Sequence, residues 1–155
     1  MEARLLTAGT RIIRGEAGVA LDLGAGARLE VLAASPRGMV LELSYGRARF
    51  LLPLGADPEM MDSLLHSGRL ATAQVLVLAD GGYAAVNPPE LFERVRPLAA
   101  VIGVEADDRR RLPSPEVIEA LAGTTVLRTD RNGWIEFRTD GQRLWVEVER
   151  RGADG

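Results

Sequence analysis

The polarity pattern of the chain changes period twice. Over the first third it alternates, with apolar residues at every second position of Val19-Ala-Leu-Asp-Leu23, Arg28-Leu-Glu-Val-Leu32 and Met39-Val-Leu-Glu-Leu-Ser-Tyr45. Ala48-Arg-Phe-Leu-Leu52 continues the series. A period of two marks strands with one covered face. Gly24-Ala-Gly26 and Gly46-Arg47 fall between these runs and read as turns, the second closing a hairpin. The Gly24/Gly26 pair could also suggest a phosphate loop, but no helical pattern follows it, so a plain turn is the reading.

The middle of the chain switches to helical spacing. Asp57-Pro58-Glu59 reads as a helix start, with Met60, Leu64 and Leu65 as its stripe and Ser67-Gly68 as its end. Ala73–Leu78 is nearly all apolar, as befits a strand buried on both faces. Asn87-Pro-Pro-Glu90 is expected to cap a second helix, with Leu91, Phe92 and Val95 inside and Pro97 as the stop. Leu98–Val104 reads as another buried strand, and Ser114-Pro115-Glu116 opens a third helix from Val117 to Leu121. The end returns to strands. Thr125–Arg128 leads into Asn132-Gly133, a hairpin signal, and Trp134–Arg138 follows. Asp140-Gly141 then turns the chain into Leu144–Val148. The expected fold is α/β: a mixed β-sheet with about three helices, in a single domain over 1–155 whose last residues, 150–155, form a frayed tail.

Composition narrows the chemistry. The 155 residues carry a net charge of −3, so no overall basic field draws in nucleic acid. All 19 basic residues are Arg, a usage ascribed to coding bias rather than phosphate binding. The absence of Cys excludes disulfides, thiolate metal sites and Cys nucleophiles. Apolar runs such as Val75–Ala79 and Leu98–Val104 are too short to span a bilayer. Met1-Glu2 opens no signal peptide, so the chain reads as soluble as it stands.

Few residues suggest catalysis. His66, the single histidine, sits near the end of the first helix, where a solvated residue favoured by the helix dipole is the simpler reading. No serine lies in a nucleophile-elbow pattern. Asp107-Asp108 beside Arg109-Arg-Arg111 reads as a solvated charge cluster. Arg109, Arg110 and Arg111 could touch phosphates, though the neighbouring acids largely cancel their field. Trp134 and Trp145 are read as sheet or core packing rather than as base-stacking platforms.

Four segments carry a family resemblance. They are Phe50-Leu-Leu-Pro-Leu-Gly-Ala-Asp-Pro-Glu-Met60, Ala73-Gln-Val-Leu-Val-Leu-Ala-Asp-Gly-Gly82, Pro89-Glu-Leu-Phe-Glu-Arg-Val-Arg-Pro97, and Ala100-Val-Ile-Gly-Val with Leu112-Pro-Ser-Pro-Glu-Val117 and Arg128-Thr-Asp-Arg-Asn-Gly133. Over 16–149 the chain resembles the C-terminal half of the metallo-β-lactamase-like domain of ComEC-type competence proteins. The resemblance implies half of an αββα sandwich. It also implies kinship with enzymes that cut nucleic acid through a two-metal centre during DNA uptake. The family's aspartate falls on Gly55, the two histidines of its His-His-Gly-Ser segment on Asp80 and Gly81, and its last histidine on Leu112. The family's first-half motif has no counterpart. Asp80 alone still offers a ligand oxygen, so the expectation is a pseudo-hydrolase without cofactor or metal.

Half of such a sandwich should leave one apolar sheet face for a partner, either a second copy or a missing N-terminal half-domain. The reading favoured here is a non-catalytic module of structural or interaction role. The alternatives are a residual hydrolase completed by a partner half and a weak single-stranded DNA binder. A larger ComEC-like parent would make the domain extracytoplasmic and give it its only link to a membrane.

Overall fold

The alternating first third forms an antiparallel meander. The strands are β1 (Ala20–Gly24), β2 (Ala27–Ala34), β3 (Met39–Tyr45) and β4 (Ala48–Leu54), paired in sequence order. The fold is described for residues 13–150 of a computed structural model. The start at Met1-Glu2 and the tail beyond Arg150 lie outside the described residues. Arg150 itself is tied down, its N–H donating to the Asn132 carbonyl.

From β4 onward the sheet is parallel. Helix α1 (Pro58–His66) leads to β5 (Val75–Val77), α2 (Pro89–Val95) to β6 (Ala99–Ile102), and α3 (Pro115–Ala120) to β7 (Thr125–Arg128). The seven strands lie in the order β1 to β7, a mixed sheet of an α/β fold. Crossovers between parallel strands are right-handed, and these three all step in the same direction, so their helices fall on one face. The core bears this out. Met60, Met61 and Leu64 of α1, Leu91, Phe92 and Val95 of α2, and Val117 of α3 cluster with Leu51, Leu76, Ala100 and Ile102. Those strand residues share one parity of the pleat.

The opposite parity makes a second apolar face. Val31, Leu41, Val75, Ala99 and Leu127 are buried there, while Leu29, Leu43, Phe50, Leu52, Val77 and Val101 are half-buried. No helix packs on this side among the described residues. Instead the two-stranded sheet of β8 (Ile135–Thr139) and β9 (Leu144–Val148) folds against it. Phe137 meets Phe50 edge to face, with centroids 5.8 Å apart. Arg47 donates its N–H to the Gly141 carbonyl at 2.6 Å, and Gly46 lies so close to Gly141 that a Cβ would strike its backbone. The expected bare face is therefore partly covered by the chain's own hairpin.

Two expectations need correction. Asn132-Gly133 does not close a hairpin between β7 and the next strand. Thr129–Asn132 forms a one-turn helix, α4, which brings the helices to four, and β7 pairs with β6 alone. The Asn132 side chain accepts the Arg128 N–H at 2.8 Å, and Gly133 takes φ 68° and ψ −135°. That local bonding turns the chain away from the main sheet. The tryptophans are not core residues either: Trp134 is 51% and Trp145 48% exposed.

Candidate functional site

The parallel strands end along one edge, where ligands of open α/β sheets characteristically bind. Here the edge holds a small crevice of about 470 Å³, lined by Gly81, Gly103, Glu105, Asp108, Arg110 and Leu112 among others. Its walls follow directly from the strand ends. The chain after β5 makes two 3₁₀ turns, Ala79–Gly82 and Ala84–Val86. Asp80, at φ 45° and ψ 47°, and Gly81, at φ 64°, are both left-handed. A non-glycine residue pays a steric penalty in that region, so the surroundings must hold it there.

Asn87 does so. Its side chain is 1% exposed and makes three hydrogen bonds. Oδ1 accepts from the Ala79 N–H at 3.0 Å, while Nδ2 donates to the Ala79 carbonyl at 2.9 Å and the Tyr83 carbonyl at 2.7 Å. Asn87 was expected to cap α2, but it closes the loop before that helix instead. Ser114 does stand at the N-cap of α3, as expected, while its hydroxyl accepts the Ala84 N–H at 3.1 Å.

Arg110 enters the crevice from the loop between β6 and α3. Its guanidinium holds Asp80 in a two-point pair, Nη1 to Oδ2 and Nη2 to Oδ1, each 2.8 Å. The Asp80 carboxylate hydrogen-bonded to it pushes the Arg110 pKa further up, so the side chain stays charged. Arg109 and Arg111, like Arg110, are exposed at the surface. Asp108 is not simply solvated: its Oδ2 accepts the Leu112 N–H at 2.9 Å and fixes the loop.

The structure brings together three of the four positions that the resemblance singles out. A Cβ built on Gly81 would lie 3.2 Å from Leu112 Cδ1, and Asp80 adjoins Gly81 in sequence. Gly55 does not join them. It ends β4 at φ 69°, pressed against the backbone of Arg37 and Gly38, and does not line the crevice. The donor set does not fit a two-metal centre. Gly81 and Leu112 carry no ligand atom, and the one carboxylate between them is committed to a guanidinium. Among the described residues no group of three His, Cys, Asp or Glu converges on one point. His66 lies apart on the last turn of α1, its Nδ1 2.8 Å from the Asp62 carbonyl oxygen, beside an open groove between α1 and α2.

A second ion pair escaped notice in the sequence. Arg128 grips Asp130 through Nε at 3.0 Å and Nη2 at 2.6 Å, with side chains only 17% and 11% exposed. The guanidinium holds the Asp130 carboxyl below the ordinary carboxylate range. Beside it, the Thr129 hydroxyl donates to the Val104 carbonyl at 2.7 Å and accepts the Val104 N–H at 2.8 Å. These contacts lock the end of β7 to the chain leaving β6. The pair lies within the segment Arg128-Thr-Asp-Arg-Asn-Gly133, whose sequence reads as a turn and carries part of the resemblance.

No family model, curated protein or solved structure matches this chain. No helix among the described residues is long and apolar enough to cross a membrane.

Proposed function

We propose that this chain is a non-catalytic, metallo-β-lactamase-like domain of the ComEC type, a pseudo-hydrolase with a structural or interaction role in DNA uptake. The observation that supports this most is the Asp80–Arg110 pair. A guanidinium occupies the only ligand oxygen left at the family's metal positions. A divalent cation would have to displace a two-point, charge-assisted contact and then sit beside a fixed positive charge. The half-buried apolar face opposite the helices supports the interaction role, since the β8–β9 hairpin covers only part of it. On this reading a partner layer, supplied by an N-terminal half-domain, completes the coverage, and the parent protein places the domain outside the cytoplasm.

The test is a cleavage assay on single- and double-stranded DNA with added zinc or manganese. The proposal expects no turnover above buffer. Chelator-sensitive cleavage that Arg110→Ala leaves intact would overturn it.

A further inference from the structure

The outer face of the β8–β9 hairpin serves nothing described so far, and its composition is unusual. Phe137 turns inward onto Phe50, so residues of the opposite parity face outward. Pairing of Arg138 with Trp145 and of Glu136 with Glu147 sets the outer rows. Trp134 and Glu149 extend them by one position, the Trp134 N–H meeting Glu149 Oε2 at 3.2 Å. Both tryptophans of the chain therefore lie on this strip, each about half exposed. At ~3.3 Å per residue they stand about 13 Å apart along the strands.

Between the indoles lies an imbalance of charge. Glu136 and Glu147 are directly opposite, an arrangement that like charges disfavour. Arg138 bridges them, with Nε 2.7 Å from Glu136 and Nη1 3.6 Å from Glu147. One guanidinium thus serves two carboxylates, and Glu149 adds a third. Indole faces attract cations, and a paired carboxylate accepts a guanidinium or ammonium. The same charges repel phosphate, so a nucleic acid strand suits this strip poorly despite its aromatics.

We infer that the outer face of the hairpin is a docking strip for an extended, Arg- or Lys-bearing segment of a partner protein. One cationic side chain would enter between Glu136 and Glu147 while its neighbours pack on Trp134 and Trp145. The strip lies on a different element from the crevice, and the inference is independent of the pseudo-hydrolase reading.

Because both tryptophans of the chain lie on this strip, fluorescence excited at the red edge of the indole band, where tyrosine does not absorb, reports on it. The experiment titrates the full chain with a short alternating Arg-Gly peptide and, separately, with oligothymidylate. A saturable, salt-weakened change with the peptide is expected. Glu136→Gln with Glu147→Gln should weaken it by roughly tenfold or more, as two charge-assisted contacts are lost. Arg138→Gln should act in the opposite direction and tighten it, by freeing both carboxylates. All three positions are exposed, and melting curves check that the variants fold. A response that these substitutions leave unchanged would overturn the inference. So would saturation by oligothymidylate instead of the peptide, or self-association that covers the indoles without any ligand.

Discussion

Truncating Asn87 to Ala should be among the most damaging single changes outside the apolar core. The side chain makes three hydrogen bonds in a site that is 1% exposed, two of them to Ala79, which is itself buried. Each satisfied bond contributes about 1 kcal/mol net, and an orphaned buried N–H costs about 1–3 kcal/mol. The sum is about 4–6 kcal/mol, a large share of the roughly 5–15 kcal/mol that holds a domain together. At a urea slope of about 2 kcal/mol/M, the unfolding midpoint should fall by about 2–3 M. Asn87→Asp sharpens the test because it keeps the shape. An aspartate can still accept from Ala79 but turns a carboxylate toward two carbonyl oxygens. Near neutral pH it should cost more than Ala. Burial raises the folded pKa of such a carboxyl above its unfolded value of about 3.9, so the folded state holds more protons. Stability then falls as pH rises through that window, and the Asp variant should recover on acidification. A midpoint loss under about 0.5 M for Asn87→Ala would refute the reasoning. So would an Asp variant no worse than Ala near pH 7.

The Arg128–Asp130 pair sets an acid limit. Because the folded Asp130 pKa is depressed, its stabilisation is present above the unfolded value of about 3.9 and lost as pH falls through the folded one. Asp130→Asn should cost about 2–3 kcal/mol near pH 7 and flatten urea midpoints below about pH 4. Phe137→Ala, which removes the ring seated on Phe50, should cost about 2 kcal/mol by the same urea measurement. Gly46→Ala should cost at least as much, since its φ of 57° and the Gly141 backbone both exclude a Cβ. If the crevice is a degenerate metal site, restoring ligands should restore binding. Gly81→His and Leu112→His combined with Arg110→Ala should bind zinc stoichiometrically by calorimetry. A folded triple variant without zinc affinity would refute the descent of that crevice from a metal site.

Most of the fold was legible because its signals are local. Alternation located β1 to β4, Pro near the first helical position marked all three longer helices, and unbroken apolar runs marked β5 and β6. The errors came where tertiary bonding outcompeted a local signal. Asn87 is a good cap by type, yet the twisted loop after β5 claims its side chain. Asn132-Gly133 is a hairpin signal by type, yet Asn132 turns back to Arg128 and ends β7. Gly81 and Leu112 were singled out by the resemblance, and the structure sets the two side by side. The partner of Asp80 could not be named. Arg110 is thirty residues away, and nothing in the run Arg109–Arg111 distinguishes the middle residue from its neighbours.

That middle arginine carries the central claim, and metal content tests it most directly. The unaltered chain would be loaded with zinc or manganese, dialysed against metal-free buffer and assayed by mass spectrometry. The account predicts no stoichiometric metal, because the one remaining carboxylate is held by Arg110. One or two retained equivalents, released by Asp80→Asn, would contradict it.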